Sequence, residues 1–548
     1  MQHPDRNPDR NQHPAHTPDD WWRGAAIYQV YVCSFADDNG DGVGDLAGVR
    51  SRLPYLAELG VDALWFNPWY PSPMADGGYD VTDYRSIHPM FGTMAEAEKL
   101  ITEASDLGIR TIIDIVPNHV SDTHRWFVQA LAAEPGSADR ARFWFREGRG
   151  TDGELPPNDW PSQFGGPAWT RVADGQWYLH RFASQQPDLN WGHPEVRAEH
   201  EDVLRFWFDP GAAGVRIDSA AEVVKDPALP DLASAPEPHP YVDRDELHDI
   251  YRSWRRVADS YAPPRALIGE VWLPDPERFA RYLRPDELHT AFNFGFLACP
   301  WDAERLRKQI TTTLAVHAPV GAPTTWVLAN HDITRTVTRY GRADTGFDFA
   351  TKGYGIATDR ATGTRRARAA ALLTLALPGS VYLYQGEELG LPEVEDIPAH
   401  RIEDPKYHRT AGADPGRDGC RVPLPWNGSA PSAGFGPDGG AEPWLPQPAD
   451  WSDYSVAAQN HDPDSMLTLY RTALRLRRAE PGLGDGSMDW SDPNPQVLAF
   501  RRGADFACAV NLAPTPQPLP DHTAVLLSSA PLDGGLLPSD ATVWLRTA

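Results

Sequence analysis

The fold class expected from this sequence is α/β: a (β/α)8 TIM barrel with an inserted small domain after the third strand and a C-terminal antiparallel β-sandwich domain. Three observations carry that expectation. From Trp21 onward, eight short apolar, β-branched runs alternate with helix-length amphipathic segments, as in a closed parallel barrel. A long stretch rich in Trp, Pro and Gly separates the third run from the fourth, too long for a simple βα connection. Beyond the last amphipathic helix the chain keeps strand-like alternation and offers no further helix.

The N-terminal MQHPDRNPDRNQHPAHTPDD repeats PDRN and lacks an apolar core, so residues 1–20 read as a disordered tail and not as a secretory signal. The strands expected are AAIYQVYV, DALWFNPW, RTIIDIVPN, AGVRIDSA, RALIGEVW, TAFNFGF, TTWVLANHD and SVYLYQGEE. Between them, LAGVRSRLPYLAELG, MAEAEKLITEASDLG and ELHDIYRSWRRVADSY have the helical period. An open doubly wound sheet is disfavoured because no glycine-rich phosphate loop follows the first strand. The barrel is therefore expected over residues 21–119 and 192–482, with the inserted subdomain over 120–191. A loop at about 391–450, dense in Pro, Gly and Asp, follows the eighth strand as a lid or part of a substrate pocket. After the helix SMLTLYRTALRLRRAEPG, the runs VLAFRRG, FACAVNLA and AVLLSS place the sandwich over 483–548.

Composition narrows the function. The 548 residues are 41% hydrophobic and 23% charged, with no apolar run long enough to span a membrane. A net charge of -26 repels phosphate backbones and anionic lipid, which excludes nucleic-acid and membrane partners and favours neutral substrates. Cys33, Cys299, Cys420 and Cys508 lie far apart in no metal or disulfide spacing and read as reduced thiols. Sparse cysteine and the missing signal together point to the cytoplasm.

Barrel enzymes carry reactive side chains where strands end. Those positions hold Asn118 and His119, Arg216 and Asp218, Glu270, and His331 with Asp332. Three carboxylates inside otherwise apolar strands, accompanied by Arg or His, are hard to explain as helix caps. Two carboxyls acting on a neutral polyhydroxyl substrate suffice to break a glycosidic bond. Arg216, two residues before Asp218 on the same strand face, favours an ionised nucleophile. Glu270, between apolar neighbours and near Trp272, favours a protonated general acid. Asp332 is left to grip hydroxyls and to oppose positive charge at the anomeric carbon.

The loop DDNGDGVGD after the first strand reads like the front of an EF-hand. Oxygen side chains fall at Asp37, Asn39, Asp41 and Asp45, with the carbonyl of Val43 between the last two. Gly48 occupies the position of the bidentate glutamate, and a strand precedes the loop, so a calcium sensor is excluded.

The segments DIVPNH (114–119), QPDLN (186–190), GVRIDSA (214–220), IGEVW (268–272) and ANHD (329–332) resemble the ordered motif set of the α-amylase clan of retaining glycoside hydrolases. YQVYVCSFADDNGDGVGDLAG, NHVSDTHRWF and RDGCRVPLPW (417–426) are similar to its α-glucosidase and oligo-1,6-glucosidase branch. That resemblance implies Asp218 as nucleophile, Glu270 as acid/base and Asp332 as transition-state stabiliser. It implies Asp76 and Tyr79 against the non-reducing terminal glucose, completed by His119, Arg216 and His331. Phe182 and Gln186 would flank the scissile bond, and Arg417 and Arg421 match the paired arginines after the eighth strand. For Arg421, His180 and Asp80 a purely structural role, tying loops together, competes with a functional one. The resemblance also implies one structural calcium or magnesium ion held by Asp37, Asn39, Asp41, Val43 and Asp45, and no organic cofactor.

The activity implied is an exo-acting α-glucosidase on short oligosaccharides. Ser219 after the nucleophile, where α-1,6-preferring relatives usually carry Val, leans towards α-1,4 bonds. A glucosyltransferase or sucrose- or trehalose-type isomerase on the same scaffold is the enzymatic rival. A non-catalytic relative, such as the heavy subunit of amino-acid transporters, would have a membrane anchor and lost carboxylates, and neither expectation is met. Oligomeric state is not encoded in any motif.

Overall fold

A computed structural model describes residues 18–234, 238–428, 432–491 and 494–548. Residues 1–17 of the expected tail lie outside them. The barrel strands are β1 (Ala26–Val30), β2 (Ala63–Phe66), β3 (Arg110–Ile115), β4 (Gly214–Ile217), β5 (Ala266–Gly269), β6 (Thr290–Ala291), β7 (Thr325–Val327) and β8 (Ser380–Tyr384). Every ladder among them is parallel, in the order β7-β8-β1-β2-β3-β4-β5-β6. The seam between β6 and β7 carries no ladder among the described residues and is bridged by the hydroxyls of Thr290 and Thr325.

Alternation along the strands explains the two layers. Ile27, Ala63, Trp65, Ile112, Ala266, Ile268, Val327 and Tyr382 fill the barrel interior, joined by Trp21 and Trp22. Their strand neighbours Tyr28, Leu64, Ile113, Val215, Leu267 and Val381 face the outer helices. At the start of β4 only glycine fits, because a Cβ on Gly214 would lie 2.6 Å from the carbonyl oxygen of Ala266. On the outside, the helix Leu247–Asp259 buries Leu247, Ile250, Tyr251, Trp254 and Val257 at helical spacing. The helix Met94–Asp106 starts at a capping box between Thr93 and Glu96.

Two local expectations change. LAGVRSRLPYLAELG forms two helices, Leu46–Ser51 and Leu53–Leu59, with Pro54 in the first turn of the second, where its missing N–H is tolerated. TAFNFGF is strand only at Thr290–Ala291, because Asn293 accepts the N–H of Phe296 and caps a short helix, Phe294–Ala298.

Within the segment after β3, Phe145–Glu147, Gln176–Leu179 and Trp169–Arg171 form an antiparallel sheet, with Trp144, Trp160 and Trp169 in a cluster of their own. Near the C-terminus five antiparallel strands run in the order Asp489–Trp490, Val497–Arg502, Phe506–Asn511, Ala541–Arg546, Ala524–Ser528. One face meets the helix Arg360–Ala376, where Trp544 Nε1 donates to the carbonyl of Leu372 at 3.0 Å. The other packs Val543 and Leu545 against Leu537 of a two-stranded ribbon. The strand Ala541–Arg546 was not among the expected runs. All four cysteines are free and buried. No helix of the described residues is long and apolar enough to cross a membrane.

Candidate active site

At the carboxyl ends of the strands the structure opens a cleft of about 570 Å³. The register Asp114↔Arg216↔Ile268 sets Arg216 beside Asp114, and the next residues bring Asp218 and Glu270 to the same mouth. Arg216 is fully buried and holds three carboxylates: Asp218 at 2.7 Å, Glu270 at 2.8 Å and Asp114 at 3.0 Å. Its guanidinium lies 5.1 Å from the Trp65 ring centroid. Ser219 links the two mouth carboxyls: its N–H donates to Glu270 Oε2 at 2.9 Å and its hydroxyl to Asp218 Oδ2 at 3.0 Å. Ser219 has φ 45, in the left-handed region that non-glycine residues seldom adopt, and such strain collects at functional sites.

One cation cannot neutralise three anions in an apolar setting, so a proton stays in the cluster near neutral pH. Burial pushes Asp114 up to about 7, Glu270 to about 7 and Asp218 to about 6, against the pull of Arg216. Asp114 accepts from Trp65 Nε1 and the Tyr79 hydroxyl, each at 3.1 Å, and twice from Arg216, a set of donors that suits its charged form. Glu270 accepts from Ser219, Trp272 and Arg216 in the same way, but of the two only Glu270 lines the cleft, where it can pass the shared proton to a substrate. Burial outweighs the pull of Arg216 on Asp218 and places it above the usual carboxylate range.

Asp332 behaves oppositely. Burial raises it, but Arg421 Nη2 at 2.8 Å and Arg417 Nη1 at 3.2 Å hold it well below the usual range. His331, 3.5 Å away, is pushed down to about 3 by burial and carries no charge at neutral pH, so the two guanidinium groups dominate. Arg417 also reaches Asp76 at 2.7 Å and Asp404 at 2.5 Å, joining loops after β2 and β8.

Asp76, Tyr79, His119, Phe182, His331 and Arg417 line the cleft together with Asp218, Glu270 and Asp332. Gln186 stands behind them, donating to Asp76 Oδ2 at 3.0 Å and 3.0 Å from His119 Nε2. The Tyr79 and His331 rings stack with centroids 5.4 Å apart. Arg421 sits behind Asp332 and touches the site. Asp80 accepts from Ser72, Ala75 and Asp76, and His180 contacts Thr170 and Phe182, so both tie loops together. Reading the sequence missed Asp114 and Asp404. A carboxylate inside the apolar run RTIIDI was a visible signal for the first; Asp404 lies in a loop with no periodicity to mark it.

The loop Asp37–Asp45 lies apart, packed on the segment after β8 through Asp37 N to Phe435 O and Trp444 N to Gly42 O, both 2.9 Å. Asp37 accepts from Gly40 and Gly42, Asn39 from Asp41, and Asp41 from Val43. Asp45 caps the next helix through Gly48 N. Among the described residues no three His, Cys, Asp or Glu side chains are gathered as metal ligands. The donors themselves, Asp and Asn oxygens plus a backbone carbonyl, are those of a hard divalent cation.

Carboxyls on a shared cation at a barrel mouth, one ionised and one holding a proton, are the equipment of a glycoside hydrolase. The chain belongs to the alpha-amylase family, whose catalytic-domain profile matches residues 29–486. It is 37% identical over 513 residues to a probable alpha-glucosidase of Rhizobium meliloti, covering 88% of this chain and 87% of that one. It is 33% identical to an oligo-1,6-glucosidase of Heyndrickxia coagulans, covering 88% and 90%. The crystal structure of an alpha-glucosyl transfer enzyme superposes with a TM-score of 0.84 at 34% identity, covering 97% of this chain and all of that one.

Proposed function

We propose that the protein is an exo-acting α-glucosidase that removes terminal α-linked glucose from short oligosaccharides with retention of configuration. The observation that carries this reading is Arg216, whose two terminal nitrogens hold Asp218 and Glu270. Two carboxyls on one guanidinium suit the separation of about 5–5.5 Å that a retaining pair requires. Asp218 attacks the anomeric carbon while Glu270 gives its proton to the departing glycosidic oxygen, leaving a β-glucosyl ester. Glu270, now a base, takes a proton from water, which attacks the same carbon and releases α-glucose. An alcohol in place of water gives transglucosylation through the same residues.

Exo action is supported by the ion pair between Asp76 and Arg417, which crosses the cleft beside Asp332 and would stop a glucan chain from running past. Asp76, Tyr79, His119 and His331 hold the terminal ring. Ser219, smaller than Val, suits α-1,4 bonds. The loop of Asp37, Asn39, Asp41, Val43 and Asp45 would hold one calcium or magnesium ion, which supplies no chemistry and ties the loop to the segment around Phe435. The setting is the cytoplasm, with a small-molecule oligosaccharide as the substrate.

Incubation with maltose, isomaltose, sucrose and trehalose, followed by chromatography and by NMR of the first anomer released, tests the reading. Free α-glucose, absent with Asp218→Asn, is expected. Release of β-glucose, or full activity in that variant, overturns it; new glycosides with little free glucose identify a transferase.

A further inference from the structure

Beyond the groups already placed, the cleft is lined by Phe164, Trp272, Phe349, Lys352, Lys406 and Asp414, which we assign to the side that receives the leaving group. Lys406 stands in the short helix Pro405–Arg409, fixed by Asp404, which accepts its backbone N–H at 2.7 Å. Its ammonium lies 5.4 Å from the Phe164 ring centroid, half-buried, and makes no ion pair among the described residues. Nearby carboxylates are engaged by other cations: Asp414 by Lys352, Asp404 by Arg417, Asp332 by Arg421, and Glu222 by Arg181 at 3.7 Å, with the Gln163 amide donating to Glu222 at 3.0 Å. Burial and the like charges of Arg417 and Lys352 lower the Lys406 pKa, outweighing the opposing pull of Asp332 and Asp404. In a chain of net charge -26 only Asp332 and Asp404 favour this ammonium, through space and without a direct ion pair, and each is already held by an arginine. A neutral aglycone would leave it unpaired and desolvated when the cleft fills, which is unfavourable.

We infer that the leaving-group subsite is built for an aglycone carrying an anion, a carboxylate or a phosphate, which pairs with Lys406 beside Lys352. This rests on the glycosidase reading and names its substrate class. Lys406 contacts no reacting atom; it sets specificity.

Matched pairs test it: 2-O-α-glucosylglycerate against 2-O-α-glucosylglycerol for a carboxylate, and trehalose 6-phosphate against trehalose for a phosphate, with maltose as control. The anionic member of one pair is expected to have a kcat/KM about tenfold higher or more, and the preferred pair identifies the anion. Lys406→Met should abolish most of that preference, and Lys406→Arg should keep it. No anionic preference in either pair, with maltose cleaved, overturns this inference alone. Equal losses on both members in Lys406→Met also overturn it, since Lys406 would then be a counter-ion for Asp332 and Asp404. If maltose and all four probes resist cleavage, the glycosidase reading fails and takes this one with it.

Discussion

Trp272 Nε1 donates to Glu270 Oε1 at 3.0 Å, while Ser219 and Arg216 hold the other oxygen, so the carboxyl is fastened at both ends before any sugar binds. A group fixed this way has little freedom to miss the glycosidic oxygen. Replacing it by Gln keeps the shape and removes the proton. Glu270→Gln is expected to lower kcat on maltose by about 10²–10⁴, and much less on 4-nitrophenyl α-glucoside, whose leaving group departs unaided. Steady-state kinetics on both substrates check this; equal losses would deny Glu270 the role of acid.

The two mouth carboxyls should draw a narrow pH profile. Asp218 must be ionised and is pushed up to about 6, whereas Glu270 must be protonated and is pushed up to about 7. kcat/KM should therefore rise through the first value and fall through the second, both belonging to the coupled pair. Trp272→Phe removes a donor that favours the charged form of Glu270, so its alkaline limb should move to higher pH.

Stability should follow the same proton. Glu270 is raised from 4.5 in the unfolded chain to about 7 in the fold, so the stability it contributes is present below the lower value and lost as pH climbs through the upper one. Glu270→Gln lacks that loss. Urea midpoints at about pH 5 and about pH 8 should fall further in the parent than in the variant.

Arg216 is the single cation shared by Asp114, Asp218 and Glu270, and all four groups are buried. Arg216→Met leaves the carboxylates uncompensated and should destabilise the fold by about 3–5 kcal/mol. Asp114→Asn in the same chain should recover part of that loss, measured by urea denaturation.

Chelation should release the loop Asp37–Asp45. Binding to the folded state alone stabilises it by about 2.7 kcal/mol at a hundredfold excess over Kd, so EDTA should lower the thermal midpoint and excess calcium or magnesium restore it. Asp41→Ala, at an exposed position, should lose both the response and the bound ion found by elemental analysis. An EDTA-indifferent parent without bound metal would refute the ion site.

What could be read in advance follows physical periodicity. Parallel strands buried on both faces leave continuous apolar runs, so all eight were visible, and charged residues at their ends stood out against that background. The helix Arg360–Ala376 was not singled out because it lies between the barrel and the terminal sheet and is buried on most sides, which erases the amphipathic period. The brevity of β6 depended on a capping contact of Asn293. Asp404 and Lys406 were hidden because loops have no period, and their meaning comes from partners distant in sequence. Arg421, ambiguous in sequence, acquires its role only through its contact with Asp332.

The guanidinium of Arg417 gathers Asp76, Asp332 and Asp404, the first of which the ribosome delivers hundreds of positions earlier. A nascent chain can complete all eight barrel strands and still own no finished sugar site, because the clasp that shapes it follows the last of them. Turnover is thus a readout of synthesis carried beyond the barrel strands, and chains stalled before that arginine would be silent, however well their barrels had formed.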